Sequence, residues 1–163
     1  MKIVAFPFID FVETPIGQLI IKATQHHIHE VYFNDEPITR KSSPLTQQAT
    51  QQFKEYFAGK RTQFDLPIAY DGTTFQKEVW DKVAEIPFGK TLSYLELAEQ
   101  LGDENKTRAV GSANGKNKLA ILIPCHRVIA VDGKLTGYAW GLKRKNWLLD
   151  FEAKQSGNKL SLF

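Results

Sequence analysis

Cys125 is the only cysteine in the chain, and the next residue, His126, is one of only four histidines. The thiolate is the reactive form of cysteine, and a nearby base or positive charge raises its population. A lone thiol beside an imidazole is therefore a candidate activated nucleophile. The same residues are compatible with an inert thiol at the end of a buried strand, since free cysteine is among the most buried residue types. The flanking residues bear on the choice. Ile121-Leu122-Ile123 reads as a core strand, and Pro124 denies the sheet a backbone donor and breaks its ladder. A thiol just past such a break sits at a strand end, where pockets form. Consecutive residues of an extended segment point to opposite faces. Cys125 and His126 then cooperate only if a turn brings them together or a water bridges them. His126 also needs an acceptor to orient its second nitrogen. The acidic residues that follow it are Asp132, Asp150 and Glu152. Glu152, near the end of the last helix, could fold back to serve; as a single glutamate it could equally face solvent. Arg127 reads as a structural cation that neutralises a carboxylate or caps a helix.

These residues need elements to hold them. In the first half, Phe8 to Glu13 and Gln18 to Ala23 flank the turn signal Thr14-Pro15-Ile16-Gly17, and Ile28 to Phe33 is a third strand. Leu45, Ala49, Phe53, Tyr56 and Phe57 recur at helical spacing after Ser43-Pro44, with Gly59 as the helix end. Phe64 to Leu66 is a possible fourth strand. Pro67 to Thr73 holds proline and Asp-Gly and reads as a linker, which divides the chain into 1–72 and 73–163.

The second half opens with a helix whose apolar stripe is Phe75, Val79, Val83 and Ile86, with Trp80 beside it. Ser93 and Glu96 form a capping box for a helix that runs to Gly102. After the polar turn Asp103-Glu104-Asn105 comes a short helix, about Lys106 to Asn114. Two short helices across a tight turn resemble a helix-turn-helix, a weak signal by itself. Val128 to Val131 and Lys134 to Tyr138 flank Asp132-Gly133, a tight-hairpin signal. A last helix runs from about Leu142 to Ala153.

With 163 residues, 42% hydrophobic and 24% charged, the composition is that of an ordinary globular protein. No apolar run reaches the ~20 residues that span a bilayer. One cysteine excludes an internal disulfide. The opening Met1-Lys2-Ile3-Val4-Ala5-Phe6-Pro7 lacks the apolar core of a signal peptide, so a cytoplasmic location is expected. Net charge is only +3, but it is unevenly spread. Residues 1–72 carry seven basic and eight acidic side chains, whereas residues 105–149 carry nine basic residues against Asp132 alone. That segment is either a solvated basic face or a phosphate-binding surface.

The run Ile121-Leu122-Ile123-Pro124-Cys125-His126-Arg127-Val128-Ile129 resembles the active-site motif of the O6-alkylguanine-DNA alkyltransferases. The likeness extends through Phe88-Gly89-Lys90-Thr91-Leu92-Ser93-Tyr94, Arg108-Ala109-Val110-Gly111, Ala113-Asn114, Asn117-Lys118-Leu119-Ala120, Gly137-Tyr138, Trp140-Gly141 and Leu148-Leu149. It covers about residues 74–153 in the family's order and spacing. Thr14-Pro15-Ile16-Gly17 and the helix end from Phe53 to Gly59 are similar to the divergent N-terminal domain of the short bacterial members. The first half has no cysteine, unlike the animal enzymes and the bacterial adaptive-response proteins, which bind zinc there. His26, His27 and His29 are a poor zinc set and fit a polar turn and strand start better. No metal and no cofactor are expected.

The resemblance implies an α+β protein, with an RNase H-like α/β domain followed by a winged-helix-like domain that carries the helix-turn-helix. It implies a monomer, without membrane association, that acts on double-stranded DNA from the minor groove and flips the damaged nucleotide out. Cys125 is implied as the irreversible alkyl acceptor from O6-alkylguanine and, less efficiently, O4-alkylthymine. His126 is implied as its base through a water, and Glu152 as the orienting acceptor. Asn117 is implied to hold the active-site turn, and Tyr94 to press on the phosphate and donate to the leaving guanine. Arg108 is implied to fill the gap left in the duplex, with Ala109, Gly111 and Ala113 giving the helix its slim face. Tyr138, Val128, Ala139 and Asn114 are implied to line the base pocket. Two other classes compete: a lesion-binding relative without transfer, in which the cysteine is replaced, and a Cys-His-Glu hydrolase, which would turn over repeatedly.

Overall fold

A computed structural model describes residues 6–132 and 137–157. The chain divides into two compact units, one of Met1–Tyr70 with Lys118–Ala120, the other of Asp71–Asn117 with Ile121–Phe163.

The first unit is a three-stranded antiparallel meander with one helix. Strands β1 (Phe8–Thr14) and β2 (Gly17–Ala23) pair from Phe8↔Ala23 to Thr14↔Gly17, and β3 (Ile28–Phe33) pairs with the other edge of β2. Gly17 takes φ 114°, a left-handed value that suits glycine where the chain reverses. The middle strand is covered on both faces, so Leu19, Ile20 and Ile21 are all buried instead of alternating. Helix α1 (Pro44–Phe57) starts at a Ser43 capping box and buries Leu45, Ala49, Phe53 and Tyr56. Phe64 to Leu66 does not form a strand. The Gln52 carboxamide satisfies both backbone groups of Asp65, accepting from its N–H at 2.9 Å and donating to its carbonyl at 3.1 Å. A side chain has taken the place of a ladder partner, while Phe64 packs its ring on Phe53. Beyond it, Ile28 bridges to Ile68. Lys118–Ala120 completes the unit by a parallel bridge of Leu119 to Val31.

The second unit is mainly helical. Helix α2 (Thr74–Ala84) buries Val79, Trp80 and Val83, and the Trp80 indole donates to the Ala113 carbonyl at 2.9 Å. Ser93 and Glu96 close the expected capping box on α3 (Tyr94–Gln100). A single 3₁₀ turn, Glu104–Lys106, leads into α4 (Thr107–Gly115), which packs on α3 and α2. Strands β4 (Leu92–Ser93) and β5 (Val128–Ile129) form a short parallel pair, and α5 (Leu142–Gln155) follows.

One expectation fails here. Ile121–Ile123 is not a strand but a turn, with Ile121 at φ 71°. A β-branched residue there is a backbone outlier. Ile121 and Ile123 are still 2% and 1% exposed, so an apolar run marked a buried turn as readily as a buried strand. Val128 and Ile129 pair in parallel with β4. The expected return strand from Lys134 lies largely outside the described residues, as does its Gly133 turn.

Candidate active site

Cys125 opens a one-turn 3₁₀ helix, Cys125–Arg127. Adjacent side chains on such a turn diverge by about 120° instead of pointing to opposite faces. Pro124 suits the start of the turn, and Arg127 N–H closes it on the Pro124 carbonyl at 2.9 Å. The thiol is 3% exposed. Asn117 Nδ2 lies 3.3 Å from Sγ and donates to the Ile123 carbonyl at 2.9 Å. One side chain thus ties the strained turn to the sulfur, an arrangement beyond the turn-holding role expected of Asn117. Burial pushes the Cys125 thiol up to about 11, against the opposing effects of the Asn117 hydrogen bond and the Lys145 charge. At neutral pH the resting sulfur is a protonated thiol.

His126 is fully buried, and its Nε2 lies 2.8 Å from Glu152 Oε2. Glu152 is not a solvent-facing carboxylate; it is 1% exposed on the inner side of α5. Arg127 grips it with a fork, Nε to Oε1 at 2.7 Å and Nη2 to Oε2 at 3.0 Å, while Nη1 donates to the Ile86 carbonyl at 2.7 Å. Burial opposes the charge on Glu152, but His126 and the Arg127 fork outweigh it and hold the carboxyl well below the usual range. For His126 burial prevails over the pull of Glu152, so the imidazole stays neutral further into acid than usual. A neutral ring facing a carboxylate places its proton on Nε2 and its lone pair on Nδ1. Nδ1 is buried and has no hydrogen-bond partner among the described residues.

A cavity of about 250 Å³ lies over the thiol. Cys125, Tyr94, Asn114, Tyr138 and Ala139 line it, with Gly111, Gly115 and Gly137 between them. A more open groove of about 300 Å³ shares Tyr94, Gly111 and Gly137 and adds Thr107 and Arg108. Arg108 and Ala109 are exposed on α4 and Gly111 is half-buried. Ala113 does not belong to that face. It is 3% exposed, on the inward stripe with Val110 and Asn114, because residues three and four apart share one side of a helix. Val128 is likewise displaced from its expected place. It is fully buried in β5 and is not among the residues that line the cavity.

Sequence reasoning missed Lys145. It is fully buried, and its Nζ donates to the carbonyls of Val128 at 2.7 Å and Gly137 at 3.2 Å. The ammonium also stands 5.7 Å from the centre of the Tyr94 ring. Burial lowers it to about 8, and the nearby Cys125 works in the other direction. The available signal was its spacing: Lys145, Leu148, Leu149 and Glu152 make one inward stripe of α5. A charged residue on a core stripe needs a partner, and here two backbone carbonyls supply it.

Among the described residues no group of three histidine, cysteine or acidic side chains is placed to hold a metal ion. His29 stacks on Phe6 and bonds to Thr24. No helix among the described residues is long and apolar enough to cross a membrane. The assembly is a shielded thiol with a neutral base and an anchored carboxylate, under a cavity that Tyr94 also lines. It is fitted for attack of sulfur on a carbon presented within the cavity.

Comparison with known proteins bears on what that carbon belongs to. Residues 74–154 match the family model described as 6-O-methylguanine DNA methyltransferase, DNA binding domain. Residues 8–70 match the model for the ribonuclease-like domain of the same proteins. A methylated-DNA–protein-cysteine methyltransferase of Mycolicibacterium paratuberculosis is 41% identical over 158 residues, 93% of this chain and 96% of that relative. The crystal structure of Mycobacterium tuberculosis O6-methylguanine methyltransferase has a TM-score of 0.82 at 37% identity, covering 95% of this chain and 99% of that one. Mycobacterium tuberculosis OGT in complex with DNA has a TM-score of 0.83 at 37% identity, covering 94% and 96%.

Proposed function

The chain belongs to the 6-O-methylguanine DNA methyltransferase family, and on that premise we propose that it repairs O6-alkylguanine in DNA by moving the alkyl group to Cys125. The observation that carries this reading is the Cys125 turn: a lone thiol on a cavity wall, with Asn117 on its sulfur and the His126–Glu152–Arg127 chain behind it.

The chemistry follows from the resting charges. A buried thiol beside a neutral imidazole attacks as its proton leaves. His126 Nδ1 takes that proton through a water, and Glu152 stabilises the imidazolium that results. Sulfur bonds to the alkyl carbon as the bond from that carbon to O6 breaks. The guanine departs as an anion unless a donor meets it, and the Tyr94 hydroxyl supplies the proton or hydrogen bond from the cavity wall. Lys145 offsets negative charge on the sulfur and braces the Val128 and Gly137 carbonyls. The product is a thioether, which water does not cleave, so each molecule acts once.

A base in the stack cannot reach a thiol 3% exposed, so the nucleotide must be extruded. Arg108 and Ala109, exposed on α4 beside the open groove, enter the minor groove, and Arg108 fills the place of the extruded nucleotide. The basic segment 105–149 supplies phosphate contacts. O4-alkylthymine is a poorer substrate of the same site. The protein acts as a monomer in the cytoplasm, where a reactive thiol stays reduced.

Incubation with an oligonucleotide containing O6-methylguanine, followed by intact mass, tests the reading. One methyl on Cys125 per protein is expected, and none in Cys125→Ser, since a hydroxyl ionises far less readily than a thiol. Repeated turnover would indicate a hydrolase, and binding without transfer a lesion-recognition protein.

A further inference from the structure

Arg127 is expected from its residue type to neutralise a carboxylate or cap a helix, and it does both. Its Nε and Nη2 donate to Glu152 Oε1 and Oε2 at 2.7 and 3.0 Å, and its Nη1 donates to the Ile86 carbonyl just past α2 at 2.7 Å. The Oε2 atom that takes Nη2 is also the one that faces His126 Nε2 at 2.8 Å. One carboxylate oxygen therefore serves the guanidinium and the base together. All three side chains are buried. A structural ion pair needs no third partner, and here the third partner is the ring that takes the thiol proton.

Resting on the repair reading above, we propose that Arg127 is a positioning residue for alkyl transfer: its fork cancels the charge of Glu152 and so keeps His126 neutral and able to take a proton. Charge parity decides the state of a ring held away from bulk water. A buried carboxylate and an imidazole alone are neutral as a pair only when the imidazole is protonated. Such a ring carries a proton on both nitrogens and cannot act as a base. A guanidinium holds its charge at any pH a protein meets. Added to the carboxylate, it reverses the preference, because the trio is neutral only when the ring is neutral. The remaining charges work with it. Burial favours the neutral ring, Glu152 opposes it, and Arg127 and Lys145 favour it again. Glu152 and Lys145 approach from α5, and Arg127 and the protonated Cys125 share the ring's own turn. Helix α2, also packed on that turn, buries Val79, Trp80 and Val83. Glu152 still orients the ring through Nε2, so the fork separates orientation of the base from its ionisation.

The test follows single-turnover benzylation of Cys125 by free O6-benzylguanine at pH 7 and pH 6, read by intact mass, so that no DNA-binding step enters. In the wild-type protein the two rates are expected to agree within about twofold, because the ring stays neutral below the ordinary histidine range. Arg127→Gln removes the charge, and its rate is expected to fall by about fivefold or more from pH 7 to pH 6, since the ring then protonates in or above that interval. Arg127→Lys keeps the charge without the fork and is expected to keep the wild-type ratio at a lower rate. The ratio is taken within each variant, so a purely structural loss lowers both rates and cancels. A glutamine variant with the wild-type ratio overturns the inference, as does a lysine variant that shifts with it. Should neither variant fold, the imidazole nitrogen resonances of the unsubstituted protein decide. A His126 that is neutral at pH 7 with its proton on Nε2 supports the inference, and a doubly protonated His126 overturns it. Absence of transfer to the wild-type protein at both pH values overturns the repair reading itself, while the resonances still report the charge on His126.

Discussion

Each unit of the molecule buries a carboxylate against an arginine, and the two sites differ in what they leave unsatisfied. In the first unit Asp10, 2% exposed, accepts from Phe11 N–H and Arg40 Nε on one oxygen and from Ser42 and Thr46 hydroxyls on the other. All four donors lie on β1, α1 or the segment between them, and Asp10 lines neither cavity described above. In the second unit Glu152, 1% exposed, is held as tightly, but one of its partners is a histidine whose other nitrogen has no partner among the described residues. Burial and an ion pair therefore do not distinguish architecture from chemistry. The difference lies one residue further out: the Asp10 network ends in satisfied groups, and the Glu152 network ends in a His126 lone pair without a partner among the described residues.

The sharpest way to break this comparison is to neutralise both carboxylates. Glu152→Gln is expected to slow methyl transfer by about 10²–10⁴-fold, the usual contribution of a positioned base. It should also lower the melting temperature, because the Arg127 guanidinium loses its counter-charge in a buried site. Asp10→Asn should lower the melting temperature while leaving the transfer rate of the folded protein unchanged. Equal rate losses in both would show that Glu152 acts only by holding the fold.

A smaller effect separates the DNA face from the thiol. Arg108→Ala is expected to slow repair of duplex DNA by about tenfold or more, since extrusion of a paired base costs a few kcal/mol. Reaction with free O6-benzylguanine, which needs no extrusion, should be spared. Equal losses on the two substrates would assign Arg108 to structure.

Next is the effect of the reaction on the protein itself. A methyl on Cys125 adds bulk to a sulfur that Asn117 contacts at 3.3 Å, and where such neighbours must shift the cost is about 1–3 kcal/mol. The methylated protein should melt lower and bind DNA more weakly than the unmodified one. Matching melts and affinities would uncouple repair from release and leave the transfer chemistry intact.

The smallest expected change is itself informative. Were a free thiolate the attacking species, a thiol near 11 would make the rate climb tenfold per pH unit through neutrality. With His126 as the base, the rate with O6-benzylguanine should hold within about twofold near pH 7 and decline, not climb, through about pH 8, where Lys145 loses its charge. It should then fall in acid, below the ordinary histidine range, because burial keeps the imidazole neutral until protonation removes its lone pair. A steady climb above pH 7 would remove His126 from the base role.

Much of this architecture was legible along the chain. Local signals located β1 to β3, α1, α2 and α5, because period-2 and period-3.6 patterns, capping boxes and turn residues act over a few neighbours. The same signals misread two segments. Phe64 to Leu66 looked like a strand, but the partner of Asp65 is a side chain on α1. Ile121–Ile123 looked like a strand because an apolar run reports burial and not backbone conformation. The residues alone offered Glu152 to His126 as one of three acidic residues that follow it, and the family resemblance singled it out. Lys145 went unnoticed, since its charge concealed a place on an inward stripe.

The amino-acid sequence by itself determined the chemical inventory: one thiol, an adjoining imidazole, a proline break, a basic second half and helices in the order that presents them. Tertiary structure decided which of these groups meet. Glu152 reaches His126 across 26 positions of chain, and Arg127 reaches the Ile86 carbonyl across 41. Val128 and Ala113 are turned away from the places the family resemblance implied. Only the tertiary structure assigned the protonation of the thiol and left His126 Nδ1 without a partner among the described residues, because both depend on removal from water by residues distant in the chain. Local pattern encodes conformation through short-range sterics and hydrogen bonds. Reactivity depends on desolvation and on which polar atoms remain unpaired once the core has closed.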